Sequence, residues 1–153
     1  MYTNSRRRGR TDDGAIGSLE RLEFGEAHLY DAGTHLFDSC SYLTDGEPVE
    51  WVMGQVDYRE ENRWFGAHNE THGLSTWRYA DGTRGLATTG EGREFVGCYL
   101  RLRGREGCIE VGPTDGPSLR LRRGADWETV DTGREGVHAV SPTTAERVTD
   151  GIR

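Results

Sequence analysis

Two carboxylates and an imidazole lie at i, i+4 and i+7 in the segment Asp31-Ala32-Gly33-Thr34-His35-Leu36-Phe37-Asp38. Residues three and four apart share a helix face, so in a helix these three side chains form one stripe, and Tyr42 continues it. Ala32, Gly33, Leu36, Phe37, Cys40 and Leu43 gather on the other side, which gives the helix a wet face and a packed face. An imidazole with a carboxylate one turn to either side suits a group that must accept a proton during a reaction. The same spacing suits Asp31 as a helix cap, with His35 and Asp38 as solvated polar-face residues, so spacing alone leaves both readings standing. His68 and His72 are also four apart, and with Asp31 and His35 would make a small metal-dependent site if they shared a helix. The Glu in His68-Asn69-Glu70-Thr71-His72 is displaced from its place in HExxH, and the surroundings read as a loop entering a strand, so no metal ligand is assigned.

The elements that must position these residues follow from periodicity and punctuation. Residues 18–24 alternate as a strand that leads into a helix over 31–43, which stops at Thr44-Asp45-Gly46-Glu47-Pro48. Everything after Pro48 reads as β. Residues 49–58 are β-branched and aromatic, with Val49, Trp51, Met53 and Gln55 on one face and Val52 and Val56 on the other, as in a long strand partly covered on both sides. Residues 59–70 read as a polar loop anchored by Trp64 and Phe65. Segments 73–79 and 84–89 flank Ala80-Asp81-Gly82-Thr83, whose Asp-Gly is a strong hairpin signal. Further hairpins are expected from 95–102 with 107–111, and from 119–121 with 127–130; a short helix is expected from Pro142. The layout is α+β: a broad, mostly antiparallel open sheet with one main helix on one face. The other face, carrying Val, Trp and Leu, is expected to meet a second subunit. By this reading residues 1–13 are a polar arm, 14–140 one domain and 141–153 the start of a C-terminal helix.

Composition narrows the partners. The chain has 153 residues, one domain by size, with only 33% hydrophobic residues and 22 Gly, which fits a fold rich in turns and short strands. The net charge is −7, and all 19 basic residues are Arg. No basic field exists to attract nucleic acid or an anionic membrane. No apolar run approaches the roughly 20 residues of a membrane span, and the opening Ser5-Arg6-Arg7-Arg8-Gly9-Arg10 is polar throughout, unlike a signal peptide. Three cysteines without CxxC spacing suggest neither a disulfide framework nor zinc, and fit a reduced, cytoplasmic setting.

The order of short motifs adds a further reading. Gly14-Ala15-Ile16-Gly17, a strand, Asp31-x-Gly33-x-His35-x-x-Asp38, Gly46-Glu47-Pro48-Val49, Tyr79-Ala80-Asp81-Gly82 and Gly104-Arg105-Glu106-Gly107-Cys108-Ile109-Glu110-Val111 follow one another as in the C-terminal domain of the Gfo/Idh/MocA oxidoreductases, which the chain resembles over about residues 14–130. The resemblance implies a glyceraldehyde-3-phosphate-dehydrogenase-like C-terminal domain used for substrate binding and sheet-to-sheet oligomerisation. It also implies an NAD(P)-dependent sugar or polyol oxidoreductase. In such a site His35 would take the proton of a substrate hydroxyl while hydride passes to NAD(P)+, and Asp31 would orient the imidazole or bind a hydroxyl. Asp38 and Tyr42 would tune the site or contact a small polyhydroxylated substrate. The departures are as informative. The family's cofactor lies in a Rossmann domain with a Gly-rich phosphate loop and a Glu-Lys-Pro motif, yet this sequence has no Lys, and Gly90-Glu91-Gly92-Arg93 lacks the third glycine of GxGxxG. The expectation is a substrate and acid/base domain without its Rossmann partner, which would be encoded upstream or supplied in trans. The isolated chain should bind no NAD(P) and be inactive. The alternative is a non-catalytic oligomerisation or binding module derived from the same family.

Overall fold

The structure, a computed structural model, describes residues 14–131. The chain enters through a turn in which Gly17 donates to the Gly14 carbonyl, and Ile16 is fully buried. It then forms β1 (Leu19–Glu26), a π-helical turn (Leu29–Gly33) and α1 (Thr34–Leu43). The strands β2 (Val49–Asp57), β3 (Asn62–Trp64), β4 (Ala67–Asn69), β5 (His72–Tyr79) and β6 (Arg84–Gly90) follow. A 3-10 turn (Glu91–Phe95) precedes β7 (Cys98–Gly104), β8 (Cys108–Pro113), β9 (Leu119–Arg122) and β10 (Trp127–Thr129). Eight strands make one sheet in the order β10-β9-β8-β7-β1-β6-β5-β2, antiparallel except for the parallel pair β1 and β6. The protein is therefore α+β, with α1 on one face of the sheet. The expected tail helix from Pro142, and the residues of the expected N-terminal arm, lie outside the described residues.

Side-chain alternation gives the sheet two unlike faces. Leu22 and Phe24 on β1, Leu100 and Leu102 on β7, Ile109 and Val111 on β8, and Leu119 and Leu121 on β9 lie in register and join Leu36 and Cys40 of α1 in one core. Phe24 meets Phe37 edge-on at 5.0 Å, and Trp77 of β5 lies 5.3 Å from Phe37. Each fully buried side chain of this size contributes on the order of 1.5–3 kcal/mol. Trp77 has its place because Gly85, its register partner on β6, has no side chain: a Cβ there would run into the indole ring. The opposite face alternates Arg and Glu over β1, β7, β8 and β9.

Three expectations need correction. The helical segment begins earlier than residue 31 and opens as a π turn, because Gly33 donates to the His28 carbonyl five residues back. Residues 59–70 are not a plain loop: β3 and β4 pair as a small ribbon joined by Phe65-Gly66, both with positive φ as a two-residue type I′ turn requires. Among the described residues nothing covers strand β2 on either side. It is the sheet's edge, so Val49, Trp51, Val52, Met53 and Val56 are all exposed, and a register shift between Val49 and Trp51 breaks the simple alternation.

Candidate active site

The segment Asp31 to Asp38 spans the join between the π turn and α1. Gly33 makes that join possible, since a Cβ there would sit 3.0 Å from the His28 carbonyl oxygen. A π turn takes one residue more than an α turn, and such insertions recur at functional sites. Gly33, Leu36 and Cys40 are buried, while Asp31, His35, Asp38 and Tyr42 are exposed. The structure thus gathers all four candidate residues on the solvent side of one element. Among the described residues no hydrogen bond or ion pair joins their side chains to one another. Backbone groups here are locally bonded: the Asp31 carbonyl accepts from Thr34 Oγ1 at 2.7 Å and the His35 carbonyl from Ser39 Oγ at 2.8 Å. Cys40 is no nucleophile, because burial pushes its thiol pKa up to about 12.

Beneath the π turn lies a residue that local sequence did not single out. Glu70, only 1% exposed, accepts from the Leu29 backbone N–H at 2.7 Å and from Thr89 Oγ1. Leu29 opens the helical segment, so a carboxylate from 41 residues away satisfies an N–H that the His28 side chain leaves uncapped. Periodicity cannot find such a residue; a Glu placed just before a strand carries no signal that its partner is so distant. His68 and His72 part company: His68 packs against Tyr58 on the exposed ribbon, whereas His72 stands beside Phe95 and Gly92. Among the described residues no group of three His, Cys, Asp or Glu is placed to hold a metal ion.

On the face away from α1, four side chains alternate in charge across four strands. Glu23 accepts from Arg101 Nη1 at 2.6 Å, Arg101 Nε donates to Glu110 at 2.6 Å, and Arg120 Nε donates to Glu110 at 2.7 Å. Arg21 and Arg103 also flank Glu23, and the Arg120 guanidinium lies 4.3 Å over the Trp127 ring. Burial raises the Glu110 pKa, but the hydrogen bonds from Arg101 and Arg120 outweigh it and hold the carboxyl below its ordinary value. The uncovered face is thus charged over β1, β7, β8 and β9. It is apolar only toward β5 and β2, where Leu74, Met53 and Trp51 are exposed.

The family model for the GFO/IDH/MocA C-terminal domain matches residues 2–110. The chain belongs to this family. None of the curated proteins is similar enough in sequence to match. Among solved structures, an oxidoreductase from Sinorhizobium meliloti is similar at a TM-score of 0.55 and 18% identity, over 89% of this chain and 40% of that one. An aldose-aldose oxidoreductase from Caulobacter crescentus, complexed with glycerol, gives 0.56 and 16% over 92% of this chain and 48% of that one. A levoglucosan dehydrogenase in complex with NADH and levoglucosan gives 0.52 and 18% over 82% and 40%. At these identities the likeness is one of fold, and the chain spans less than half the length of each. In this GFO/IDH/MocA domain the glycines of Gly90-Glu91-Gly92-Arg93 are packed against the chain itself. The Cβ positions of Gly90 and Gly92 run into the Thr71 carbonyl and the His72 ring, and a 3-10 turn follows where a phosphate-binding helix would begin. No described helix of the domain is long and apolar enough to cross a membrane.

Proposed function

We propose that this chain is the substrate-binding and acid/base half of an NAD(P)-dependent oxidoreductase acting on the CH–OH group of a sugar or polyol. The observation that carries the reading is that, within the region matched by the family model, the segment Asp31 to Tyr42 stands as one continuous helical element with its packed side in the core and Asp31, His35, Asp38 and Tyr42 turned to solvent. NAD(P)+, held by a separate Rossmann domain as in the family, would accept the hydride from the substrate carbon. His35 takes the hydroxyl proton. Asp31 orients the imidazole or binds a neighbouring hydroxyl, while Asp38 and Tyr42 line the approach of a small polyhydroxylated substrate. Exposure of these residues is in keeping with a site closed by a second domain. Two structural relatives, one complexed with glycerol and one with NADH and levoglucosan, agree with this substrate class. The uncovered sheet face would carry homo-oligomerisation, and three free buried thiols suit a reducing cytoplasm.

The test is NAD(P)+ reduction over a panel of sugars and polyols, with this chain alone and with it joined to or mixed with a Rossmann domain of the family. Turnover is expected only with the partner domain. His35→Ala should then lower kcat at least about a hundredfold, the usual size of a general-base contribution. Turnover that survives His35→Ala would remove the imidazole from the chemistry. No turnover in any pairing would favour the non-catalytic oligomerisation module.

A further inference from the structure

The geometry points to Glu70 as the positioning residue of the Asp31 and His35 site, an inference that rests on the function proposed above. The π turn is short, so its first N–H groups need an acceptor from outside the element. Glu70 supplies one, and its own placement is fixed from three sides. The Thr71 N–H donates to the Asp57 carbonyl at 2.8 Å, and the Glu91 N–H to the Thr71 carbonyl at 2.9 Å, which pins the backbone beside it. Thr89 Oγ1 donates to the same carboxylate oxygen that receives Leu29. Gly73 leaves the room: a Cβ there would lie 3.6 Å from Glu70 Cγ and would run into Thr89 Oγ1. The other carboxylate oxygen is buried without a hydrogen-bond partner among the described residues. A side-chain oxygen that accepts from the first N–H of a helical segment holds that end in one place. Leu29 is two residues before Asp31, and the turn it opens leads to His35, so the β4–β5 link and β6 place the backbone that carries both residues through Glu70.

Amide exchange of this chain, followed by NMR, tests the assignment with two near-isosteric variants. Glu70→Gln keeps an oxygen acceptor, whereas Glu70→Met keeps the volume and removes it. In Glu70→Met the Leu29 amide should exchange roughly tenfold to a hundredfold faster, as leaving a buried donor without its acceptor predicts. The Asp31 and His35 amide resonances should move, while Leu102 and Ile109 in the sheet core keep their protection. Glu70→Gln should restore both. Unchanged Leu29 exchange, or moved Leu29 with unmoved Asp31 and His35, would overturn the role. If the variants do not fold, the wild-type chain decides: a through-hydrogen-bond coupling from the Leu29 amide nitrogen to the Glu70 carboxyl carbon is expected, and its absence would sink the assignment. None of these readouts needs turnover, so failure of the oxidoreductase reading shows separately, in the His35→Ala assay.

Discussion

At the scale of single residues, side chains are held where their own preferences would not put them. Phe65 sits at the tip of the β3 and β4 ribbon with φ +49 and 92% of its surface exposed, a backbone region costly for any residue but glycine, asparagine or aspartate. Phe65→Asn should therefore stabilise the protein by about 1 kcal/mol, read as a higher urea midpoint; an unchanged or lower midpoint would mean that the ring's contact with Trp64, at 5.6 Å, outweighs the strain. The sequence marked Trp64 and Phe65 as an aromatic anchor but not the turn between the strands, because Phe-Gly lacks the Asn-Gly or Asp-Gly signature. That Asp31, His35, Asp38 and Tyr42 face solvent was legible from spacing, since a packed and a wet helix face differ in composition. Glu70 was not, because its meaning lies in a contact with Leu29 that only the fold creates.

Elements show where pattern sufficed and where packing decided. The hairpin around Asp81 and Gly82 forms where its turn residues place it: Gly82 adopts φ +93, and Thr83 N–H donates to Asp81 Oδ1 at 2.8 Å. The exposure of β2 was illegible, because a run of Val, Trp and Met reads the same in a buried strand and at an edge. Pairing across the sheet produces two further expectations. Gly85→Ala should cost about 1–3 kcal/mol, since Trp77 must leave its position over β6, and the change should appear in both tryptophan fluorescence and the unfolding midpoint. Glu110 has a depressed pKa in the folded state, so its contribution is present above the unfolded value of about 4.3 and is lost as pH falls through the folded one. The urea midpoint of the wild type should drop below that pH more steeply than that of Glu110→Gln, which should be the less stable protein at pH 7 with Arg101 and Arg120 left short of a partner. Parallel curves would show that other carboxylates govern the acid limb.

For the molecule as a whole, the proposed association rests on the face away from α1. Its charged half satisfies itself within one chain, so the half with Leu74 and with Met53, 66% exposed, is the part that gains from being covered. A dimer or larger assembly is expected by sedimentation at micromolar concentration, and Leu74→Arg should shift it to monomer without lowering the monomer's content of strand. A wild-type chain that sediments as a monomer would remove the sheet face from the assembly argument. Beyond association, the strand order has a consequence for how the chain reaches this shape. In strand order the sheet is two blocks, β2 with β5 and β6 on one side and β7 to β10 on the other, and β1 joins them. Leu22 pairs with Gly85 on one side and Leu102 on the other, so the earliest strand is placed only after most of the chain exists. Closing so long a loop is slow, and until then Leu22 and Phe24 remain open to other chains. During synthesis β1 can pair with β6 first and is enclosed on both sides only once β7 has emerged, so until then its apolar side chains are open to aggregation.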